Sequence, residues 1–383
     1  MGEIVETNIA LEKNLNLIEN EECISIDTEF IRDNSYFSKL CLIQVASKNH
    51  SFIIDPLKED INLNSFRKIL KKDSIIKIFH SGRQDMEIFY HLFGELPKPI
   101  YDTQIAAMVC GFGDQVSYEN LVNTLLNIRI DKSSRVSNWS FRPLTKKQII
   151  YALSDVTHLV HIYEKLKDQI SNENRSLWIE DEMRSLVETK NYKISPSEAW
   201  MKIKIKSTKR EYLNKVKFLA EWRENFSIKS NIPKNRVMRD DTLLDLASIN
   251  PKFNNDFKRI RSFNLERDAK KINQIIEILK KAEAVPEKLW PENKYIKKNK
   301  VKSFAILELL KVLIKHVSEE QKVAQRLIAK QDELELLAEG KFERLKVLEG
   351  WRYKIFGKLA LELIEGKISL KIKNKKIFIL HEN

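Results

Sequence analysis

The sequence predicts an α/β domain, with a mixed sheet packed by helices, followed by two small all-helical domains. In the first half, short apolar segments alternate with amphipathic ones, whereas almost only helical spacing follows residue 209. The two regions are separated by a break that contains Pro196 and a basic run. A chain of 383 residues is also long for a single hydrophobic core. We therefore expect domains at residues 1–205, 206–285 and 286–383.

The predicted elements of the first half follow from hydrophobic periodicity. Strands are expected where short apolar runs alternate or are bounded by turns, at residues 23–27, 40–47, 51–55 and 74–80. Helices are expected where apolar residues recur on one helical face, at residues 64–72, 85–94, 104–111, 117–126 and 144–170. Gly94 is placed to end the second of these helices. Strands with a helix between them fit one mixed sheet.

The second half has helical spacing until its last residues. Helices are expected within residues 209–225, 232–251, 267–283, 316–341 and 348–367, with a linker at 285–294 that contains two prolines. The segments FLAEWREN (218–225) and VLEGWRYK (347–354) share an apolar pair followed by Trp-Arg, which indicates a faint repeat. The tail ISLKIKNKKIFIL (368–380) alternates apolar residues with lysines around Asn374, which predicts a small basic hairpin.

Charge is divided unequally between the two halves. Residues 1–200 carry 24 Lys and Arg against 29 Asp and Glu, whereas residues 201–383 carry 43 against 25. A uniformly lysine-rich composition would give an even excess, so the asymmetry indicates chemistry in one part and binding of a polyanion in the other.

The cysteines and the N-terminus bear on where the protein works. Cys23, Cys41 and Cys110 are odd in number and form no CxxC pair, which is typical of reduced thiols in an intracellular protein. No apolar stretch approaches the ~18 residues of a membrane span. The first 16 residues are acidic and polar, unlike a signal peptide. We therefore expect a cytoplasmic protein. We also expect a monomer, because nothing in the pattern resembles a coiled coil.

Four carboxylates and one tyrosine are the strongest functional signal. Asp27 and Glu29 alternate on a predicted strand and so point to the same side. Asp85 opens a predicted helix, while Tyr151 and Asp155 are separated by four residues on another and share its face. Carboxylates that lie so close to one another repel unless a cation lies between them. Hard oxygen ligands of this kind suit Mg²⁺ or Mn²⁺. The pattern predicts two-metal hydrolysis of a phosphodiester.

Each part of this pattern has an ordinary structural explanation when taken alone. A DxE pair on a strand is often a solvated face, and a tyrosine four residues before a carboxylate on a helix is usually a local hydrogen bond. The joint occurrence of the three segments, in strand, helix-start and helix contexts, favours the metal site.

The segments SIDTEF (25–30), HSGRQD (80–85) and WSFRPLTKKQIIYALSDVTHL (139–159) resemble the three exonuclease motifs of the ribonuclease D family. This family belongs to the DEDD superfamily, in the branch with tyrosine in the third motif. Residues 209–283 are similar to an HRDC domain, a helical nucleic-acid-binding module, and residues 316–367 resemble a second, divergent one. The resemblance implies a ribonuclease H-like mixed sheet followed by two HRDC-like domains.

The resemblance also implies an activity and its residues. It implies a 3′-to-5′ exoribonuclease that releases nucleoside 5′-monophosphates from RNA, especially from tRNA precursors with 3′ trailers. The implied cofactor is a pair of Mg²⁺ or Mn²⁺ ions held by Asp27, Glu29, Asp85 and Asp155. Tyr151 is the implied group that orients the attacking water.

Three further residues are candidate substrate contacts. Phe30 follows Glu29 and is placed to stack near the 3′-terminal base, although core packing is an equal alternative. His80 ends a strand near Asp85, with structural hydrogen bonding as the alternative. Arg142 precedes Pro143 and the helix of the third motif, and either a phosphate contact or a solvated arginine fits it. The lysine runs at 202–210, 294–302 and 371–376 are either phosphate-facing or simply solvated.

Two other functions remain open from the sequence. The DEDD fold also serves DNA exonucleases, so DNA is the alternative substrate. A nucleic-acid-binding protein with a vestigial site is the alternative from another class, although the intact motifs argue against it.

Overall fold

The chain forms two compact units in the computed structural model, which describes residues 2–130, 137–260, 263, 269–292 and 304–382. The first unit comprises Met1–Ile31, Leu40–Tyr192 and Lys300–Asn383, and the second comprises Arg32–Lys39 and Lys193–Asn299. Within the described ranges, no helix is both long enough and apolar enough to cross a membrane. Cys23, Cys41 and Cys110 are free thiols.

The first unit is built on a mixed six-stranded sheet, as predicted. Its strands are β1 (Glu3–Val5), β2 (Cys23–Ile31), β3 (Lys39–Ala46), β4 (Ser51–Ile54), β5 (Ile76–Phe79) and β6 (Ile100–Asp102), in the order β1-β4-β3-β2-β5-β6. The β3–β4 pair is antiparallel, whereas β1–β4, β2–β5 and β5–β6 are parallel. The sequence prediction missed β1 and β6, because three residues are too few to show a period of two.

Helices cover both faces of this sheet. In chain order they are α1 (Asn8–Ile18), α2 (Asn64–Lys71), α3 (Arg83–Phe93), α4 (Thr103–Val109), α5 (Tyr118–Leu126), α6 (Lys146–Thr157), α7 (Leu159–Asn172) and α8 (Ser176–Leu186). Ile24 and Ile26 of β2 share the main core with residues of α1, α2 and α3. The intervening Ser25 points to the other face, where its hydroxyl donates to the Val156 carbonyl of α6 at 2.9 Å.

The helical structure predicted over residues 144–170 is confirmed, but it is divided between two helices. The helix ends at Thr157 and a new one begins at Leu159, with His158 between them as the cap of both. As a result α6 packs across β2 and β4, whereas α7 packs across β2 and β5. Apolar spacing continues through the break, so periodicity alone cannot reveal it. Helix α3 likewise begins at Arg83 rather than at Asp85, and it ends at Gly94 in the left-handed conformation, as predicted.

The C-terminal helices share the core of the first unit. They are α13 (Phe304–Gln321), α14 (Gln325–Ile328), α15 (Gln331–Ala338), α16 (Gly350–Arg352) and α17 (Lys358–Ile364), followed by the predicted hairpin of β7 (Ile368–Lys373) and β8 (Lys376–His381). The Ala324 N–H donates to the Met108 carbonyl at 2.9 Å. The Trp178 and Trp351 rings stack with centroids 4.3 Å apart. The predicted limits at residues 205 and 285 stay predictions.

The second unit is a separate helical bundle. Its helices are α9 (Arg210–Ser230), α10 (Lys234–Val237), α11 (Asp240–Ile249) and α12 (Ala269–Glu283), and its core includes Leu213, Leu219, Leu243 and Ile275. The segment Arg32–Lys39 also belongs to this unit. The Tyr36 hydroxyl donates to the Glu224 carboxylate, and the Phe37 N–H donates to Asn231 Oδ1 at 3.1 Å. This unit is therefore discontinuous in sequence.

Replacing Trp351 by alanine should destabilise the first unit by about 3–5 kcal/mol, because it removes a large buried ring and leaves a cavity. The residue is only 7% exposed, and its ring contacts both the Trp178 ring and the Arg352 guanidinium. Urea unfolding followed by far-UV circular dichroism measures the change. Trp351→Phe is the matched control and should lose less; equal losses in both variants would contradict the role given to the stacked rings.

Candidate active site

Strand β2 and helix α6 bring three of the predicted carboxylates together. Asp27, Glu29 and Asp155 each offer an oxygen atom, and these atoms all lie within 4.8 Å of one another. Asp27 and Glu29 leave the same side of β2, as their spacing predicts. Oxygen atoms at this separation fit a hard divalent cation, which takes several such ligands at 2.0–2.6 Å. The site thus has the donor chemistry expected for Mg²⁺ or Mn²⁺.

Helix α6 also places Tyr151. A capping box between Thr145 and Gln148 fixes the start of this helix, so that Tyr151 and Asp155 follow on one face. The two side chains are hydrogen-bonded, and burial together with the neighbouring carboxylates raises the pKa of the Tyr151 phenol. The Trp139 ring lies 6.0 Å from the tyrosine ring, between centroids. The phenol therefore keeps its proton and serves as a hydrogen-bonding group.

Asp85 reaches the site from the first turn of α3. It is buried, and the Thr28 hydroxyl donates to its Oδ1 at 2.5 Å. It lies outside the group of three oxygen donors, but its charge contributes to the raised pKa of Asp27. The structure thus gathers all four predicted carboxylates, with Asp85 at the margin.

The pKa values of the carboxylates in the site indicate a lack of nearby positive charge. Burial is the main cause of the raised pKa of Asp27, and the charges of Asp85, Asp155 and Glu29 add to it. Burial and the charges of Asp155 and Asp85 raise the pKa of Glu29 to about 8. Burial also raises the pKa of Asp85 to about 6, against the lowering effect of the Thr28 hydrogen bond. The charges that shift the pKa values of Asp27 and Glu29 are all carboxylates. Added cations therefore stabilise the ionised forms of Asp27 and Glu29.

Comparison with known proteins identifies the type of site. The family profile for a 3′-5′ exonuclease domain matches residues 2–171, and that for an HRDC domain matches residues 214–279. A ribonuclease D from Bartonella henselae is 39% identical over 380 residues, which is 98% of this chain and 93% of that relative. A ribonuclease D from Zymomonas mobilis is 40% identical over 357 residues, or 92% of each chain.

The chain belongs to the ribonuclease D family. The crystal structure of Escherichia coli RNase D, described as an exoribonuclease involved in structured RNA processing, agrees in fold. It superposes with a TM-score of 0.84 at 26% identity and covers 96% of this chain and 99% of its own. Membership in the ribonuclease D family makes the protein a 3′-to-5′ exoribonuclease that depends on divalent metal. The predicted fold class, an α/β exonuclease domain followed by a helical HRDC region, is confirmed.

Arg142 makes contacts that its sequence position does not reveal. Its guanidinium donates to both oxygens of Asp55, at 2.6 and 2.7 Å, and to the carbonyls of Cys41, Trp139 and Phe141. These bonds use all five of its N–H groups. They tie the segment before α6 to the end of β4. The predicted phosphate contact stays a prediction, and the geometry favours a structural role.

His80 and Phe30 are also held by the protein. The His80 ring is half-buried, with Nδ1 2.9 Å from Thr103 Oγ1 and Nε2 3.2 Å from the Val116 carbonyl. Burial lowers its pKa, so the neutral ring is favoured. The Phe30 ring is half-buried against the main core. Their contacts to RNA stay predictions.

Two residues that support the site were missed by the sequence analysis. Thr28 lies between the paired carboxylates and orients Asp85. Asp102 caps α4 and accepts hydrogen bonds from the backbone N–H groups of Ser81 and Gly82, the turn that leads into α3. An aspartate immediately before a helix is a recognisable cap signal. The Thr28 contact joins residues that are 57 positions apart and has no local signal.

Replacing Thr28 by valine should weaken Mn²⁺ binding about tenfold, because a second-layer group that orients a ligand is typically worth 10–100-fold. The matched control is Thr28→Ser, which keeps the hydroxyl and should bind nearly as the parent does. Isothermal titration with Mn²⁺ alone measures both variants. Valine and serine variants with equal affinity would show that the Thr28–Asp85 hydrogen bond does not position a ligand.

In the metal-free protein, ionisation of Glu29 should lower the free energy of unfolding as the pH rises from about 5 to 8. Its pKa in the folded state is about 8, above its ordinary value, so the folded state binds more protons than the unfolded state in this range. The contribution of Glu29 is therefore fully present below its ordinary pKa and is lost as the pH rises through about 8. Thermal unfolding in EDTA tests this.

Glu29→Gln isolates this contribution, because the parent protein has other groups that titrate. The variant should become progressively more stable than the parent between pH 5 and 8 in EDTA, and saturating Mg²⁺ should reduce or reverse that advantage. A constant difference across this range would contradict the raised pKa.

Proposed function

We propose that the four carboxylates hold two divalent cations and that the protein trims the 3′ ends of tRNA precursors. The supporting observation is the group of oxygen donors on β2 and α6, with Asp85 beside it. No positive charge is among those that shift the pKa values of Asp27 and Glu29. Bound there, the cations would supply Lewis-acid stabilisation of the attacking and leaving oxygens.

The protein's own groups have separate roles in this proposal. Asp27, Glu29 and Asp155 supply the main ligand oxygens, and Asp85 supports them from α3. Tyr151 orients the attacking water through its hydroxyl, which the Asp155 contact holds in place. Because burial and nearby carboxylates raise the pKa of Tyr151, its phenol suits orientation better than proton abstraction.

RNA with a 3′ trailer is the proposed substrate class. The supporting likeness is to E. coli RNase D, whose described role is structured RNA processing. The predicted division into an exonuclease domain (1–205), an HRDC domain (206–285) and a divergent HRDC-like domain (286–383) belongs to the same proposal. So do a monomeric state and a cytoplasmic location.

The C-terminal hairpin is a proposed part of the RNA-binding surface. Lys371 lies opposite Phe378 and Lys373 lies opposite Lys376, so these four side chains share one face. All three lysines are exposed, the Phe378 ring is 46% exposed, and no Asp or Glu occurs from 368 to 381. Lysines around an exposed ring suit a single strand, whose phosphates pair with the charges while a base stacks on the ring. The predicted lysine run at 294–302 lies outside the described residues.

A time course on a 5′-labelled tRNA with a short 3′ trailer tests the function. We expect a ladder that shortens from the 3′ end with Mg²⁺ or Mn²⁺ and none with EDTA. Asp27→Ala should abolish shortening but still bind the RNA, since it removes a ligand and no basic contact. A DNA strand of matched sequence should be digested more slowly. Hydrolysis by the Asp27→Ala variant, or preference for DNA, would contradict the proposal.

Replacing Lys371, Lys373 and Lys376 by glutamine should weaken single-stranded RNA binding and its salt dependence. The slope of log K against log salt should fall in magnitude by about 2, because each phosphate contact to a single strand contributes about 0.7. Fluorescence anisotropy in EDTA measures binding without hydrolysis. The control replaces Lys48, Lys58 and Lys71, which already pair with Glu164, Glu6 and Glu95. Equal effects of the two triple variants would exclude a specific hairpin contact.

A further inference from the structure

Gln44 is a buried amide without a visible purpose in the fold. Its side chain is fully buried, and neither Nε2 nor Oε1 has a hydrogen-bond partner among the described residues. A buried amide that makes no hydrogen bond is costly, and an apolar residue of similar size would suit the position better. Such a group in a native protein calls for an explanation.

Gln44 lies beside Asp27 in the sheet. Strands β2 and β3 are neighbours, and the connection between them is too short for a parallel crossover, so they run antiparallel. The Ser25 hydroxyl donates to the Ala46 carbonyl at 3.0 Å, which sets the alignment of the two strands. Counted from this contact, Asp27 is two residues further along β2 and Gln44 is two residues back along β3. Asp27 therefore lies opposite Gln44. Side chains opposite each other have Cβ atoms ~4.5–5.5 Å apart.

The amide also points to the catalytic face of the sheet. Gln44 is paired with Ile53 of β4, and residues directly opposite share a face. Ile53 packs with Ala152 and Leu153 of α6, the helix that carries Tyr151 and Asp155. Ser25, two residues before Asp27, contacts the same helix. The Gln44 amide therefore lies beneath α6, on the same face of the sheet as Asp27.

We propose that Gln44 is a positioning residue for Asp27 in the cation-loaded site. An Asp27 carboxylate that holds cations with one oxygen can accept a hydrogen bond from the Gln44 amide with the other. The Nε2 group then has an acceptor in the loaded protein and none in the empty one. This inference rests on the proposed ligand set, and it assigns to the amide an effect on metal binding rather than on folding.

Gln44→Met in the full-length protein tests the proposal, because methionine keeps the length and burial of the side chain but has no amide. In EDTA, its thermal midpoint should equal or exceed that of the parent. Its affinity for Mn²⁺ alone, measured by titration calorimetry, should fall about tenfold. With RNA, kcat should fall while KM stays unchanged. Gln44→Leu provides a second variant should methionine pack poorly, and the same pattern is expected.

Ile53→Val is the matched control, since it alters packing under the same helix without removing a polar group. It should lower the thermal midpoint and leave Mn²⁺ affinity unchanged. The proposal is overturned if both Gln44 variants bind Mn²⁺ as the parent does, or if they lose stability in EDTA. A parent protein that binds Mn²⁺ but does not shorten RNA would contradict the proposed function instead, because the titration and the melting need no RNA.

Discussion

Mutual repulsion of closely spaced, partly buried carboxylates is the constraint on which the rest of the first unit depends. Beyond the effect of burial, the charges of Asp85 and Asp155 raise the pKa values of both Asp27 and Glu29, and the charge of Glu29 adds to the shift of Asp27. Folding alone would place these groups apart or in water, because buried like charges destabilise the native state. Their proximity is held by the backbone around them. The apolar core under β2 and the capped helix α6 supply the stability that the site itself takes away.

The supports of the site differ in kind for each ligand. Strand geometry alone sets Asp27 and Glu29 on one side of β2. Asp155 depends on the capping box that starts α6 and on the Arg142–Asp55 ion pair, which ties the preceding segment to the sheet. Asp85 depends on Asp102, which holds the turn before α3, and on Thr28, which orients the carboxylate. The geometry of the carboxylate cluster therefore depends on the surrounding groups that hold each ligand in place.

Most of the fold and of the carboxylate group could be predicted from the sequence, but the residues that hold this group in place could not. Strands β2 to β5 and the alternation of Asp27 with Glu29 follow from local periodicity, which a chain shows without its partners. The break at His158 could not be predicted, because apolar spacing continues through it. The role of Arg142 was equally hidden, since its partner Asp55 lies 87 positions away. Contacts of this range depend on the completed fold, and a single sequence contains no local record of them.

The Trp178–Trp351 stack has a consequence for how the protein is made. The core under the exonuclease sheet includes residues of α13 to α17, which are synthesised after the strands and helices that they pack against. A nascent chain therefore exposes the ring of Trp178 and the apolar side of α4 until α13 to α17 have left the ribosome, at about 5–20 residues per second. During that interval the catalytic strands exist without their full support.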